Sequence, residues 1–253
     1  MKISVITVCY NSAPTIAYTL RSVHAQTHGE IEHIVIDGGS SDDTLAVVAA
    51  EGKHVATLVS ERDRGIYDAM NKGLALATGD VVGFLNSDDV FAHHDVIARI
   101  AQTMRPSDID ACYGDLVYVS QADTEKVVRY WKSREYQAGL CAKGWMPAHP
   151  TFYARRTIYQ QHGEFDLSMK LQADFEMALR LLDIGGIRTQ YLPEILVRMR
   201  TGGASNASLR NVLLGNFEAA RACRKHGLPG GLNFIVGKML SRLPQFLRRP
   251  LSP

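Results

Sequence analysis

The stretch Val81-Val82-Gly83-Phe84-Leu85-Asn86-Ser87-Asp88-Asp89 decides the fold, because an apolar run stops there at two adjacent carboxylates. A run of Val, Phe and Leu with little alternation is typical of a parallel strand that is covered on both faces. Ligands of such sheets gather at the carboxyl ends of the strands. We therefore expect Asp88 and Asp89 to lie at the rim of a binding site.

The acid pair has two interpretations. Adjacent carboxylates repel each other unless a cation or hydrogen-bond donors compensate them, and hard oxygen ligands suit Mg²⁺ or Mn²⁺ on a diphosphate. Ser87-Asp88-Asp89 is also typical of an ordinary turn or helix cap, which is the commoner origin of an isolated acidic dipeptide. The rest of the chain has to decide between the two.

Three further strands precede this one, and a helix follows each of them. Apolar, β-branched runs predict strands over residues 2–8, 31–36 and 55–60. Four strands that alternate with three helices imply a parallel sheet with right-handed βαβ connections. The ends of these strands would then bring Tyr10, Asp37 and Asp88 to one rim, where a nucleotide would lie.

The side chains at this rim also have ordinary explanations. Tyr10 is equally typical of half-buried packing, and Asp37 of a loop cap. No G-x-G-x-x-G follows the first strand, which argues against a dinucleotide site, and the absence of G-x-x-x-x-G-K-[ST] excludes a P-loop protein.

The chain after Asp89 is less regular. The patterns predict a helix up to Pro106, strands over 111–119 and 191–200, a hairpin or loop over the site within 121–142, and a short strand after the loop at 146–151. A further helix is predicted from Lys170. Asp174 lies in its first turn, where the helix dipole keeps a carboxylate ionised and available as a base. Acids are common in first turns, so a structural role is equally open.

Two more polar residues are candidates for the site. His149 stands between a small residue and a proline, a setting more typical of a structural histidine than of a catalytic one. Arg200 precedes a glycine-rich loop and could meet a phosphate, although a solvated charge at a sheet edge explains it as well.

Charge is unevenly distributed along the 253 residues. The formal net charge of +2 includes seven Lys and Arg residues after Glu218, and removing these seven leaves −5 for the residues before them. An acidic body argues against nucleic acid as a partner, and a basic tail favours an anionic one. Residues 232–247 alternate apolar clusters with Lys238 and Arg242, which is typical of a helix on a membrane surface and equally of a closing helix packed on the domain.

Cysteine spacing and hydropathy indicate the compartment. The four cysteines are far apart and form no C-x-x-C, so neither a zinc site nor a disulfide framework is predicted. No secretory signal pattern follows Met1, and no apolar stretch reaches the roughly 18 residues of a membrane span. We therefore expect a cytoplasmic protein.

A set of short motifs occurs in a specific order. They are Ser4-Val5-Ile6-Thr7-Val8-Cys9-Tyr10-Asn11, Ile36-Asp37-Gly38-Gly39-Ser40-Ser41-Asp42-Asp43-Thr44, Asn71-Lys72-Gly73, Ala77-Thr78-Gly79-Asp80, Leu85-Asn86-Ser87-Asp88-Asp89 and Ala173-Asp174. In this order the chain, over roughly residues 2–206, resembles the family 2 glycosyltransferases. The stretch from Asp63 to Gly73 is similar to the branch that builds bacterial exopolysaccharides of the colanic-acid type.

The resemblance implies an α/β fold of the GT-A type, a Rossmann-like and mainly parallel sheet flanked by helices. Residues 1–206 are expected to form the glycosyltransferase domain, with a nucleotide-binding half over 1–90 and an acceptor-binding half over 91–206. Residues 207–253 are expected to form a helical, basic C-terminal extension that either meets the membrane surface or packs on the domain.

The implied reaction is inverting transfer of a sugar from a nucleotide diphosphate donor, expected to be a UDP-sugar, with Mn²⁺ or Mg²⁺ as cofactor. The expected acceptor is a hydroxyl of a glycan, such as a sugar linked to polyprenyl diphosphate, in bacterial surface polysaccharide synthesis. The basic tail would contact anionic lipid on the inner face of the plasma membrane. No nucleic acid partner is expected.

The resemblance also assigns site residues by position. The nucleotide would be held by Val8 through its backbone, Tyr10, Asp37, Arg64, Asp68 and, at the ribose, Asp88. Asp89 would bind the metal, Asp174 would take the acceptor proton, and His149 and Arg200 would line the acceptor or diphosphate side.

Three departures from the family pattern bear on these assignments. Asn86 replaces the first acid of D-x-D-D, Gly38 replaces the second acid of D-D-G-S, and Met70 replaces an arginine, for which Arg64 is the candidate substitute. The Q-x-x-R-W of processive synthases is absent, so we expect an enzyme that adds a single sugar.

Three other functions compete with this one. A sugar-nucleotide pyrophosphorylase would need a glycine-rich basic loop after the first strand, where Asn11-Ser12-Ala13-Pro14 stands instead. A non-catalytic subunit that binds a nucleotide sugar is the second, and the presence of Asp89 and Asp174 argues against it. A haloacid-type phosphatase would need an aspartate nucleophile that Val8-Cys9-Tyr10 lacks.

Overall fold

The computed structural model describes residues 1–202, 209–231 and 234–235. Its first part alternates strands and helices: β1 (Ile3–Cys9), α1 (Ile16–His24), β2 (Ile31–Asp37), α2 (Thr44–Glu51), β3 (Val55–Ser60), α3 (Ile66–Leu76) and β4 (Val81–Phe84). β1 pairs in parallel with β2 and β4, and β2 pairs in parallel with β3. The parallel βαβ arrangement predicted for this part is confirmed.

The second part is more irregular, as the sequence indicated. Its elements are β5 (Val90–Phe91), α4 (Val96–Thr103), β6 (Ala111–Val119), β7 (Val127–Trp131), β8 (Tyr153–Arg155), α5 (Arg156–His162), α6 (Ala173–Ala178), a π-helical continuation (Leu179–Ile184), β9 (Thr189–Arg200) and α7 (Leu209–Lys225). β6 and β7 form a hairpin, and β7 is the one strand that lies in the described segment 121–142, for which a hairpin or loop was predicted.

In the described part of the chain, the strands form one sheet in the order β3-β2-β1-β4-β8-β6-β9-β5, with β7 paired to β6. β8 lies antiparallel between β4 and β6, so the sheet is mixed, although most of its paired residues are parallel. Gly83 permits this insertion, because a Cβ atom at that position would lie 2.2 Å from the ring of Tyr153 in β8. The α/β class is confirmed, and the parallel character holds for β1–β4 and for β6 with β9.

The core explains why the first strands are so apolar. Every residue of β1 and β4 is buried, because helices cover both faces of the sheet. The largest buried cluster joins Ile6 and Phe84 of the first part to Tyr113 of β6 and Phe175 of α6. One hydrophobic core therefore spans both predicted halves.

The helix predicted from Lys170 begins at Ala173 instead. The carboxylate of Glu218 in α7 accepts hydrogen bonds from the backbone N–H groups of Lys170, Leu171 and Gln172, at 2.8–3.1 Å. These amides are satisfied by a distant side chain, so the segment forms a bend and the helix starts later.

The described part of the predicted C-terminal extension packs into the body. Ala219, Ala222 and Cys223 of α7 are buried in the same cluster as Phe175. Most of 232–247, on which the prediction of a membrane-surface helix rests, lies outside the described residues. Among the helices that the structure describes, none has the length and apolarity needed to cross a bilayer.

Candidate active site

A cleft of about 1130 Å³ opens at the carboxyl ends of β1 and β4. Its floor and walls come from six parts of the chain: residues 8–18, 63–70, 86–88, the β6–β7 hairpin, 146–150 with 170–174, and 199–216 where described. Of the predicted site residues, Val8, Tyr10, Asp88, His149, Asp174 and Arg200 line it. Asp37, Arg64, Asp68 and Asp89 lie behind or beside this lining.

The end of β1 presents a flat surface to the cleft. The side chain of Tyr10 is 63% exposed, which is unusual for a residue that follows a fully buried strand. The next residue, Asn11, has a φ angle of 49°, and its Oδ1 atom accepts a hydrogen bond of 2.9 Å from the N–H of Ser41. The turn after β1 is thereby tied to the loop after β2, and the Tyr10 ring is left free to contact a ligand.

Asp37 lies beneath this loop and is fully buried. Its carboxylate accepts hydrogen bonds from the N–H groups of Gly39 and Ser40, at 3.1 and 3.0 Å, and from the hydroxyls of Ser40 and Ser60. Burial opposes ionisation of Asp37, but these donors bring its pKa below the ordinary value. The carboxylate is ionised, and its acceptor sites are taken up by hydrogen bonds from the protein itself.

Asp63 occupies the space that the family's second acid would need. A Cβ atom on Gly38 would lie 2.4 Å from the Oδ2 atom of Asp63, and Asp63 lines the cleft. Asp63 was not among the site residues predicted from the sequence. The glycine at position 38 was the signal that could have found it, because a missing side chain leaves room for another.

Arg64 and Asp68 bind each other at the start of α3. An oxygen of Asp68 lies 2.6 Å from the guanidinium of Arg64, and the second oxygen accepts the backbone N–H of Arg64 at 3.0 Å. These hydrogen bonds lower the pKa of Asp68. The Arg64 side chain is 76% exposed, so the Asp68 carboxylate anchors a guanidinium that remains accessible to solvent.

In the acid pair after β4, Asp89 is buried and Asp88 half-buried, and few groups compensate their charge. Asp89 is fully buried, and its carboxylate accepts hydrogen bonds from the side-chain amide of Asn86 at 3.2 Å and the N–H of Arg200 at 3.3 Å. Burial and then the charge of Asp88 raise the pKa of Asp89 well above its ordinary value. Burial also raises the pKa of Asp88, which Arg200 partly opposes.

The same residues fit a divalent cation. The Oδ1 atom of Asn86 is buried and has no hydrogen-bond partner within the described ranges. An orphaned amide oxygen beside two carboxylates that resist ionisation is a set of hard donors, which Mg²⁺ and Mn²⁺ prefer. Within those ranges no three His, Cys, Asp or Glu side chains are grouped to hold a metal ion, so the protein would supply few ligands.

Asp174 faces the cleft from the start of α6. Its Oδ1 atom accepts hydrogen bonds from the hydroxyl of Tyr67 at 3.0 Å and from the N–H of Phe175 at 2.9 Å. Burial and then the charge of Asp174 raise the pKa of Tyr67 well above its ordinary value, so Tyr67 remains a donor. Tyr67 lies inside the motif from Asp63 to Gly73, but the sequence analysis did not select it.

His149 lies close to this carboxylate. Its ring stacks on Phe84 at 5.3 Å between centroids, and its Nε2 atom is buried without a hydrogen-bond partner in the described part of the chain. Burial lowers the pKa of His149, which the charge of Asp174 partly opposes. A neutral imidazole with one unused nitrogen therefore borders the cleft.

Arg200 joins the two sides of the cleft. Its backbone N–H binds Asp89, its Nη1 atom donates to the carbonyl of Gln121, and its guanidinium lies 5.1 Å from the centre of the Tyr18 ring. The Nε atom is buried without a partner in the described ranges. The side chain is buried beside the acid pair and is not a solvated edge charge.

Comparison with known proteins identifies the family. The family model described as glycosyl transferase family 2 matches residues 4–171. A protein of Mycobacterium tuberculosis named as an uncharacterized glycosyltransferase is 35% identical over 181 residues, 70% of this chain and 68% of the relative. A PGL/p-HBAD biosynthesis glycosyltransferase of the same species is 29% identical over 217 residues, 80% of this chain and 78% of the relative.

Solved structures share the fold. Staphylococcus aureus TarS in complex with UDP-GlcNAc superimposes with a TM-score of 0.68 at 17% identity, over 94% of this chain and 72% of that one. The mannosyltransferase PcManGT of Pyrobaculum calidifontis, in complex with GDP-Man and Mn²⁺, has a TM-score of 0.66 at 19% identity, over 97% and 73%. The chain therefore has the GT-A fold and belongs to glycosyl transferase family 2.

Proposed function

We propose that the protein transfers a sugar, with inversion, from a nucleotide diphosphate donor to a hydroxyl of a glycan or lipid-linked sugar in bacterial surface polysaccharide synthesis. The observation that carries the proposal is that the ends of β1 and β4 and the carboxylate of Asp174 meet in one cleft. The enzyme would act at the inner face of the plasma membrane and use a UDP-sugar.

The relatives support this choice. A relative that matches 80% of the chain is named for PGL/p-HBAD biosynthesis, which is a role in making a bacterial glycan. TarS binds UDP and UDP-GlcNAc, and PcManGT binds GDP-Man with Mn²⁺. Membership of a glycosyltransferase family leaves no support for a pyrophosphorylase.

The nucleotide would lie on the half formed by residues 1–90. Val8 and the exposed ring of Tyr10 would contact the base, and Asp88 would meet the ribose. Asp37 would act on the base through the loop that it orders, with Asp63 as the acid that faces the cleft. Arg64, held by Asp68, would reach the diphosphate.

A divalent cation would be held by Asp89, Asp88 and the orphaned Oδ1 atom of Asn86, together with the donor's diphosphate. When bound, it supplies positive charge that stabilises the leaving diphosphate. Arg200 is buried beside these acids and would add a second positive charge on the same side.

The acceptor would lie on the half formed by residues 91–206, against Asp174. Both hydrogen bonds to Asp174 engage Oδ1, so we assign Oδ2 to accept the proton of the acceptor hydroxyl. The hydroxyl oxygen then attacks the anomeric carbon as the bond to the diphosphate breaks. A single displacement of this kind inverts the configuration and needs no protein nucleophile.

His149 would position the acceptor. Its ring is neutral and its Nε2 atom is unused, so it can form one hydrogen bond with a sugar hydroxyl next to Asp174. The hydroxyl of Tyr67 would keep Asp174 in a single orientation.

The proposal is tested by turnover with UDP-, GDP- and dTDP-sugars in the presence of Mn²⁺ or Mg²⁺. Wild type is compared with Asp174→Asn and with Asp108→Asn, an exposed acid remote from the cleft. We expect metal-dependent release of one nucleotide, lower by about 10²–10⁴-fold in Asp174→Asn and unchanged in Asp108→Asn.

The other outcomes separate the alternatives. Full activity in Asp174→Asn would refute its role as the base. Tight binding of a nucleotide sugar without turnover, when glycan and lipid-linked acceptors are supplied, would favour the non-catalytic subunit. Product in which the anomeric configuration of the donor is retained would refute the single displacement.

A further inference from the structure

Helix α7 carries an exposed apolar face beside the cleft. Four apolar residues within two turns of this helix are each more than a third exposed: Val212, Leu213, Leu214 and Phe217. Leu213 and Phe217 reach 61% and 64%. Exposed apolar side chains are normal singly, but a group of them on one helix marks an interaction surface. We call Leu213, Leu214 and Phe217 the α7 face.

The charged side chains that helix α7 itself exposes are all positive. Arg210, Arg221 and Arg224 are exposed and recur with Leu213 and Phe217 at helical spacing, so they lie on the same side of the helix. The sequence of α7 contains a single acid, Glu218, and its carboxylate is buried against the backbone amides of Lys170–Gln172. The outward side of α7 is therefore apolar and basic.

The opposite side of α7 holds the helix firmly and borders the cleft. Val212 and Gly215 line the cleft, so α7 forms part of its wall, and the α7 face lies on the other side of the helix. Lys225 and His226 bind the buried carboxylate of Glu176, at 3.2 and 2.7 Å. Whatever covers the α7 face is thus placed at a fixed position relative to the site.

We propose that the α7 face docks on an anionic lipid bilayer and so holds a helix that forms part of the cleft wall against the membrane. The charge pattern selects this occupant. A second copy of the chain docked face to face would bring the two sets of arginines together. The chain after Glu218 contains no acid, so folding the basic tail onto the face would also bring like charges together.

An anionic bilayer matches both the apolar side chains of the α7 face and the arginines beside them. Leucine and phenylalanine side chains bury in the boundary between headgroups and acyl chains, while arginines bind anionic headgroups. The proposal deepens the proposed function, because an acceptor carried on a lipid would be presented at the same surface. Docking itself requires no catalysis and can be tested separately.

The test is flotation of the full chain with vesicles of phosphatidylcholine alone or mixed with phosphatidylglycerol. We compare wild type with the double variant Leu213→Ser/Phe217→Ser, and with Leu58→Ser and Ile184→Ser as controls, which alter exposed apolar residues elsewhere. We expect binding only to the anionic vesicles, weaker at high salt, reduced about tenfold or more in the double variant and unchanged in both controls.

Folding and donor binding are checked alongside. The altered side chains are exposed, so thermal unfolding and nucleotide binding by calorimetry should match wild type in every variant. Vesicle binding without turnover on any donor would leave the docking proposal standing and count against the proposed function. Turnover on a water-soluble acceptor without vesicle binding would count against the docking proposal and leave the proposed function standing.

Three results would overturn the proposal. The first is wild-type protein that binds nucleotide but floats with neither type of vesicle. The second is an equal loss of vesicle binding in Leu58→Ser, which would indicate nonspecific adsorption. The third is a dimer in solution that the double variant dissociates, because the α7 face would then contact a second copy of the chain.

Discussion

Two buried carboxylates at one rim of the sheet, Asp37 after β2 and Asp89 after β4, have opposite environments. Asp37 is bound by the hydroxyls of Ser40 and Ser60 and by two backbone amides, and its pKa is lowered despite burial. Asp89 has two longer hydrogen bonds and a charged neighbour, and burial raises its pKa. Burial alone does not determine whether an acid is ionised; the hydrogen-bond donors and charges around it decide.

The comparison extends to other acids. Glu32, at the opposite end of β2, accepts hydrogen bonds from Lys2, Ser4 and Thr78. Its environment is therefore of the same kind as that of Asp37, with several donors around a buried carboxylate. Asp88 belongs with Asp89, because its pKa is also raised by burial. Acids of the first kind should matter for stability and those of the second kind for metal binding and turnover.

The largest expected effect is that of Asp89→Asn. Turnover should fall about 10³-fold, which corresponds to about 4 kcal/mol, because the substitution removes a charge that would hold the cation. Without metal, the unfolding midpoint should stay the same or rise, since the substitution removes a buried carboxyl whose ionisation is opposed by burial and by the charge of Asp88. A turnover assay with Mn²⁺ measures the first quantity, and scanning calorimetry with and without Mn²⁺ measures the unfolding midpoint.

Asp108→Asn is the control for this variant, because it removes an exposed acid outside the cleft. It should keep wild-type turnover and the same rise of the unfolding midpoint with Mn²⁺. If Asp89→Asn also keeps that rise, Asp89 does not bind the metal, and Asp88 and Asn86 remain as the proposed ligands.

Asp37→Asn should show the opposite pattern. An amide keeps one acceptor oxygen but turns an NH₂ group toward existing donors such as Ser60, so the free energy of unfolding should fall by about 2–3 kcal/mol. Urea denaturation measures this. Asp43→Asn, an exposed acid in the same loop that makes no cap hydrogen bond, should stay within about 0.5 kcal/mol of wild type. Unchanged stability together with lost nucleotide binding would instead make Asp37 a ligand contact.

Glu32→Gln should lower stability in a pH-dependent way. Burial opposes ionisation of Glu32, but hydrogen bonds from Lys2, Ser4 and Thr78 lower its pKa from 4.5 to about 2. A depressed folded-state pKa contributes stability that is fully present above about pH 4.5 and lost as the pH falls through about 2. The variant should therefore be about 2 kcal/mol less stable than wild type at pH 7 and nearly equal to it at pH 2.

Glu30→Gln provides the contrast for Glu32. Glu30 is exposed and pairs with the N-terminal amine, so its removal should change the denaturation curves little at either pH. A difference between wild type and Glu32→Gln that stays constant from pH 2 to pH 7 would show that shape, not charge, causes the loss.

The smallest expected effect is that of Tyr67→Phe. Removing the hydrogen bond to Asp174 should lower kcat by about tenfold, with little change in the KM for the donor, because only the orientation of the base is relaxed. Tyr159→Phe is the matched control, since Tyr159 is buried and its hydroxyl has no partner in the described part of the chain. Equal losses in both variants would point to a packing defect instead of a positioning role.

The sequence by itself determined the elements and the positions of the acids. The strands at 3–9, 31–37, 55–60 and 81–84 follow from apolar runs, and the side chains at Tyr10, Asp37 and Asp88 follow from where those runs stop. These features depend on neighbours along the chain, so local pattern is enough to predict them. The order of the motifs likewise sufficed for the family.

Only the tertiary structure decided what each acid is bonded to. Ser60 donates to Asp37 from 23 residues further along the chain, and Tyr67 donates to Asp174 across 107 residues. Glu218 binds the amides of Lys170 to Gln172, which precede α6, although it is 46 to 48 residues away from them in the sequence. The position of β8 between β4 and β6 was also not predictable from local pattern. Hydrogen bonds form between groups that are close in space, and the charge state of a buried carboxylate depends on those bonds and not on its neighbours in sequence.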